Sequence, residues 1–160
     1  MTATLLFVLA LPAALGSALI GGLFFAFSVC VMPALDRLPA HRGMAAMQSI
    51  NLAILNPLFF AVFFGTGALC AVLLALSLAD WSAPHAPWLA AGGALYLVGG
   101  ILVTMAFNVP LNRALAAASS AERAEDAALW RRYLSIWTAW NHGRVVGCLT
   151  ASALLILALY

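Results

Sequence analysis

Long apolar stretches separated by polar connections dominate the sequence. Three of them cover residues 4–35, 57–79 and 87–107, and a fourth covers residues 145–160. A helix needs about 20 apolar residues to cross the hydrocarbon core of a bilayer, so the first three are long enough. The fourth becomes long enough when the amphipathic, proline-free sequence before it continues the same helix, giving a span over residues 135–160.

These four segments predict one all-α domain over residues 1–160. Its expected architecture is a membrane-spanning four-helix bundle in up-down-up-down order, with amphipathic cytoplasmic helical segments. Small residues at four-residue spacing in the first segment predict a close helix contact, for which the glycine-rich third segment is the candidate partner. The two rows of small residues are Ala13, Ser17 and Gly21, and Ala14, Ala18, Gly22 and Ala26.

The composition agrees with a membrane protein and excludes an ordinary soluble domain. Hydrophobic residues make up 66% of the chain and charged residues 8%, whereas about a quarter of the residues of a soluble domain are charged. The net charge of +2 is too small and too scattered for a nucleic-acid surface. The three cysteines have no CxxC spacing, so the sequence indicates neither a zinc site nor a redox pair.

The arginines predict the orientation in the membrane. All of them fall in the first and third connections or at the start of the fourth segment, and none lies at either terminus or in the second connection. They are Arg37, Arg42, Arg113, Arg123, Arg131, Arg132 and Arg144. The positive-inside rule makes their side cytoplasmic, so we expect an inner-membrane protein with both termini outside.

Uncharged polar side chains gather at the same cytoplasmic ends. They include Asn51, Asn56, Asn108, Asn112 and Asn141. Asn56 and Asn108 stand just before prolines, where asparagine commonly caps a helix. Polar groups are costly inside a membrane, so the whole set also favours a binding or catalytic site.

The sequence "WTAWNHGR" holds the densest group of such residues. At helical spacing Trp137, Trp140, Asn141 and Arg144 share one face, while His142 lies about 100° round the helix from Asn141 and points roughly away from Arg144. Tryptophan belts and snorkelling arginines are common at membrane interfaces. An anchor needs no Asn–His pair, however, so the combination favours a site.

Several sequence blocks resemble a known family. "FFAFS", "VMPAL", "AMQSIN", "NVPLN" and "WTAWNHGR" are similar to signature blocks of the anthrone oxygenase-like family, small four-helix integral membrane proteins long catalogued as a domain of unknown function. The resemblance runs from Gly21 to Arg144 and beyond. It implies oxidation of a lipophilic anthrone to an anthraquinone by O2, without a metal or flavin.

That reaction needs a base, donors for a developing oxyanion and flat walls for the rings. The expected catalytic residues are His142 as base, Asn108 and Asn141 as donors, and Arg144 as anion stabiliser. The expected substrate-binding residues are Trp137, Trp140, Asn51, Asn112 and Asn56. The expected partners are a lipophilic small molecule, O2 and membrane lipids, with no cofactor, no metal and no nucleic acid.

Other classes of function remain open at this point. A haem protein usually needs one or two axial ligands, and His142 is the only histidine near a span. A metal held by His41 and His142 would lack carboxylate ligands. A transporter or channel more often places polar groups near the bilayer midplane. The main alternative is a non-catalytic membrane protein that binds or scaffolds a lipophilic ligand.

Overall fold

The computed structural model describes residues 2–118 and 124–160. Within these residues the chain forms five continuous helical segments and no β-strand, so the predicted all-α class is confirmed. The helices are α1 (Ala3–Asp36), α2 (Ala40–Ala53), α3 (Pro57–Ala79), α4 (Ala86–Ala117) and α5 (Ala124–Leu157).

Helices α1, α3 and α4 are long and apolar enough to cross a membrane, which indicates a membrane protein. Helix α3 coincides with its apolar run, and it begins at Pro57 because Asn56 accepts a hydrogen bond from the Phe59 amide (2.9 Å) and proline suits the first helical position. Helix α4 continues well past the apolar run that ends at residue 107, through an amphipathic stretch that ends at Ala117.

The long helices pack against antiparallel neighbours. The Ser152 hydroxyl donates to the Ala14 carbonyl (2.9 Å), and the Asn141 amide donates to the Phe24 carbonyl (2.7 Å). Residue numbers rise along α1 as they fall along α5, so these two helices run in opposite directions and share most of their length. Helix α5 therefore lies alongside the apolar helix α1.

Helix α4 contacts both α3 and α5 through glycines. A Cβ atom at Gly93 would lie 2.7 Å from the Cys70 carbonyl oxygen on α3, and one at Gly99 would lie 2.9 Å from the Gly147 Cα on α5. Backbones can approach this closely only where no side chain intervenes. The glycine-rich face of α4 thus packs on α3 and α5. The prediction that it would pack on the small residues of α1 was wrong.

The small residues of α1 form a packing surface for α5. A Cβ at Gly21 would lie 2.8 Å from the Leu149 side chain, and Ser17 and Ala13 on the same row are buried. Gly22 behaves differently, because it is exposed and a Cβ there would meet no atom of the described chain within 4 Å. Only one of the two predicted rows is therefore fully a helix contact.

Three stretches of π-helix interrupt α1 and α4 near their contacts with α5. They span Phe27–Val31, Tyr96–Leu102 and Thr104–Asn108. A π-helical turn shifts the hydrogen-bond register and changes which groups face a neighbouring helix, and such turns are frequent at functional sites. Here they surround the segment of α5 that carries Asn141 and Arg144.

Helix α2 is the fifth helix, and it covers one end of the other four. The Gln48 amide donates to the carbonyls of Leu115 (2.7 Å) and Ala118 (3.2 Å), which satisfies the free carbonyl groups at the end of α4. Met44 and Met47 are buried in an apolar cluster with aromatic residues of α5. This contact fixes α2 over the cavity described next.

Candidate functional site

A cavity of about 140 Å³ lies at the end of the molecule that α2 covers. All five helices contribute to its lining, which is mostly apolar and aromatic. Its polar lining residues are Asn51, Thr104, Asn112, Trp137 and Arg144. A mostly apolar cavity with a few convergent polar groups is the usual form of a small-molecule site.

The exposed lining residues show where the cavity opens. Phe60 and Phe64 on α3, Met105 on α4 and Leu55 just before α3 all line the cavity and are themselves exposed. The opening therefore lies at the side of the molecule, between α3 and α4, and its rim is apolar. In a membrane such an opening faces lipid.

Among the described residues that line the cavity, Arg144 is the only charged one, and it is 4% exposed. Its guanidinium donates to the Thr104 hydroxyl (3.2 Å) and to the Asn141 side-chain oxygen (2.6 Å), both of which are neutral. Its Nε atom is buried and has no hydrogen-bond partner among the described residues. A buried charge normally needs an opposite charge, and Arg144 has no anionic partner among the described residues.

Aromatic rings stabilise the guanidinium in part. Its central carbon lies 4.0 Å from the Phe24 ring centroid and 5.0 Å from that of Trp137. Cation–π contacts of this kind contribute about 0.5–2 kcal/mol, which is less than the several kcal/mol that burial of an ion costs. The rings hold the group in position and leave its charge available to a ligand.

Asn141 is fully buried behind Arg144 and does not line the cavity. Its amide nitrogen donates to the Phe24 carbonyl and to the Ser28 hydroxyl, both at 2.7 Å, and its oxygen accepts from Arg144. All of its polar atoms thus have partners within the protein. Asn141 orients Arg144 and has no group left for a substrate.

Asn112 is held by two donors. Its side-chain oxygen accepts from the Tyr133 hydroxyl (2.9 Å) and from the Trp137 indole (2.8 Å). Burial raises the pKa of the Tyr133 phenol, which keeps this donor protonated at neutral pH. With the oxygen occupied, the amide nitrogen of Asn112 is the group available to the cavity.

Asn51 and Asn108 each have one buried atom without a partner. The Asn51 amide nitrogen has none among the described residues, and Asn51 lines the cavity. Asn108 donates to the Trp137 carbonyl (3.2 Å), while its oxygen has no partner in the described chain. Asn108 does not line the cavity, so it supports the backbone of α5 beside the site.

The polar groups available in the cavity include three hydrogen-bond donors. They belong to Arg144, Asn51 and Asn112, while the Thr104 hydroxyl already donates to the Gly100 carbonyl (2.6 Å). Within the described part of the chain, no carboxylate or imidazole lines the cavity. The matching ligand presents acceptors or negative charge in an otherwise apolar frame.

The sequence of this chain matches a known protein family. The sequence family described as anthrone oxygenase matches residues 58–154, more than half of the chain. The chain belongs to the anthrone oxygenase family. Neither a curated protein nor a solved structure matches it. The match contains Asn112, Trp137 and Arg144, whereas Asn51 and the "FFAFS" block precede it.

Besides Asn108 and Asn141, three more of the predicted site residues do not line the cavity. His142 is exposed on the outer face of α5 and does not line the cavity, since it is rotated about 100° from the buried Asn141. Trp140 is 36% exposed and stacks on Phe107, with ring centroids 3.6 Å apart. Asn56 caps α3. The position of His142 does not suit the base for a ligand in this cavity.

The sequence interpretation also missed several residues that line the cavity. Four phenylalanines of α3 form one wall and the opening, and Thr104 of α4 holds Arg144. The phenylalanines are Phe59, Phe60, Phe63 and Phe64. The sequence "LFFAVFFG" could have indicated these residues, because it has two double phenylalanines four residues apart. This spacing places Phe59 and Phe63 on one helix face, where their rings stack (5.4 Å between centroids).

Proposed function

We propose that this protein is a membrane-embedded, cofactor-independent oxygenase that converts a flat, lipophilic anthrone-type ketone and O2 to a quinone and water. Membership of the anthrone oxygenase family supports the class of reaction. The observation that carries the proposal is the buried Arg144, which faces an aromatic cavity and has only neutral hydrogen-bond partners among the described residues.

The proposal includes a fourth membrane crossing by α5. Helix α5 follows the apolar α1 from the level of Phe24 to that of Ala14, so the two helices occupy the same depth. Four antiparallel crossings then form an up-down-up-down bundle. The arginine distribution makes the end covered by α2 cytoplasmic, and both termini lie outside.

Substrate reaches the site from the lipid. A fused-ring ketone dissolved in the bilayer enters between α3 and α4, past Phe60 and Met105, without crossing water. Inside, Phe24, Phe63 and Trp137 offer aromatic surfaces to its rings. Its carbonyl oxygen is the acceptor that the donors of Arg144 and Asn51 lack.

Ionisation of the bound substrate is the step in which Arg144 acts. An anthrone carries a CH2 group between two aromatic rings and opposite a carbonyl, so loss of one proton gives a phenolate-like anion with its charge on oxygen. The guanidinium and the amide of Asn51 stabilise that oxygen. The proton passes to water, because the described lining residues include no carboxylate or imidazole to accept it.

The anion then supplies the electrons for O2. Transfer of one electron gives a carbon radical and superoxide, and these combine at the former CH2 carbon to form a peroxide. Loss of water from the peroxide leaves the second carbonyl. One anthrone and one O2 thus yield one quinone and one water, and the protein contributes binding, a mostly apolar cavity and a positive charge.

The test measures O2 uptake and quinone absorbance with the purified protein in nanodiscs. We expect Arg144→Gln to lower kcat by roughly 10²- to 10³-fold, as for loss of an oxyanion donor. Arg132→Gln is the matched control, since Arg132 is exposed on the same helix. Full activity of Arg144→Gln would refute the proposal. Substrate binding without oxidation by the wild type would favour the non-catalytic binding protein.

A further inference from the structure

We propose that the same cavity binds the anion of a long-chain fatty acid from the bilayer, with its carboxylate at Arg144 and its alkyl chain passing out through the lateral opening, and that this ligand excludes the substrate. The inference rests on the cavity of the proposed function and concerns its regulation by membrane lipid. It requires neither an aromatic ring nor O2.

The charge of the cavity favours a carboxylate. Arg144 has neutral partners and an unpartnered Nε, and Asn51 has an unpartnered amide nitrogen in the described chain. A carboxylate offers two oxygens that accept several hydrogen bonds and pairs well with the planar guanidinium. It supplies the negative charge that the described lining residues lack.

The shape of the cavity favours a ligand with a long apolar tail. Between Arg144 and the lateral opening, the lining is formed by phenylalanine and other apolar side chains, of which Phe60, Phe64 and Met105 are exposed at the rim. A volume of about 140 Å³ takes a carboxylate and the first part of an alkyl chain. The rest of the chain remains among the lipids, so no apolar surface need enter water.

The two ligands compete because Arg144 serves both. An alkyl chain in the opening also blocks the path that a ring system takes from the lipid. Free fatty acid in the membrane therefore inhibits by raising the apparent KM for substrate, with little effect on kcat. A fatty alcohol of the same length lacks the charge and does not inhibit.

Tryptophan fluorescence with dibrominated stearic acid in detergent micelles tests the binding. Bromine quenches nearby indoles, Trp137 lines the cavity and Trp140 lies outside it. We expect saturable quenching by the acid that is lost in Trp137→Phe and retained in Trp140→Phe. Dibrominated stearyl alcohol is the control for ordinary partitioning into the micelle, and we expect it to give no saturable component.

Arg144→Gln should weaken the saturable quenching by roughly tenfold or more, as for the loss of a charge-assisted hydrogen bond, while Arg132→Gln leaves it unchanged. Equal quenching by acid and alcohol, or no effect of Arg144→Gln, would overturn the inference. If the protein binds fatty acid but oxidises no anthrone, the proposed oxygenase activity is refuted while the proposed fatty-acid binding is supported. Anthrone oxidation that stearate does not inhibit would overturn the competition.

Discussion

The Arg144 guanidinium has two aromatic rings beside it and two neutral oxygens as its hydrogen-bond acceptors. Burial of this charge among neutral partners in the described chain destabilises the protein, and in the proposed function the same charge binds an anionic ligand. Arg144→Gln removes the charge and retains an amide that can donate to Asn141. We expect this variant to unfold at a temperature no lower than the wild type, although it loses activity.

Thermal unfolding in detergent without added ligand, followed by tryptophan fluorescence, compares the stability of Arg144→Gln with that of the wild type. A gain of about 1 kcal/mol or more is the expected size for removal of an uncompensated buried charge. Arg132→Gln serves as the exposed control and should shift the midpoint little. An Arg144→Gln midpoint well below that of the wild type would mean that the guanidinium is a structural group.

The second residue-scale prediction separates the amide of Asn51 from the imidazole of His142. Asn51→Leu keeps the volume and removes a donor from the cavity, so we expect kcat/KM for an anthrone to fall by about 10- to 100-fold. His142→Ala changes an exposed side chain outside the cavity and should leave kcat/KM within about twofold of the wild type. A large loss with His142→Ala would restore the histidine as base.

Part of the candidate site could be predicted from membrane energetics, and part depends on helix rotation, which the sequence alone does not give. Asn112 and Arg144 could be predicted because a polar group in an apolar segment needs a function or a partner. The sequence places Asn141 and His142 on different faces of α5 but does not say which of the two faces turns inward. The structure separates them, with one fully buried and the other exposed.

At the scale of the helices, the contact between α4 and α5 depends on paired glycines. A Cβ at Gly147 would lie 2.9 Å from the Gly99 Cα, a distance that forces the two backbones apart. We expect Gly147→Ala to destabilise the protein by about 1–3 kcal/mol, since overpacking is costly in a close contact. Activity should fall as well, because Arg144 lies one turn away.

Gly143 provides the matched control on the same helix. A Cβ at Gly143 would meet no atom of the described chain within 4 Å, so Gly143→Ala should be neutral or stabilise by up to about 1 kcal/mol through helix propensity. Thermal unfolding of both variants decides the matter. Equal midpoints for Gly147→Ala and Gly143→Ala would show that the helices tolerate separation here.

The helices themselves were largely predictable, and their irregularities were not. Apolar length and the cap at Asn56 defined α3 because both are local properties of the sequence. The π-helical stretches Phe27–Val31 and Thr104–Asn108 carry no such local signal. Each stretch contains a residue that hydrogen-bonds to Asn141 or Arg144 on α5, which is far away in the sequence. Only the folded chain brings these residues together.

At the scale of the whole molecule, the proposed topology places Arg113 and Tyr160 on opposite sides of the membrane. Both side chains are exposed. We expect a membrane-impermeant thiol reagent to label Tyr160→Cys in intact cells and Arg113→Cys only after lysis. The background for both is Cys30→Ser, because Cys30 is the exposed cysteine and Cys70 and Cys148 are buried. Labelling of both positions from one side would rule out an even arrangement of four crossings.

The central claim is that Arg144 binds the substrate as its anion, and an anaerobic absorption titration tests it most directly. Without O2 the bound anthrone cannot react, and its phenolate-like anion absorbs at longer wavelength than the neutral ketone. With the wild type we expect the anion band to appear at a pH about one to two units below that of the free compound, as roughly 1.4 to 2.7 kcal/mol of added stabilisation requires. With Arg144→Gln the band should appear at the pH of the free compound. An identical titration for the two proteins would contradict the account.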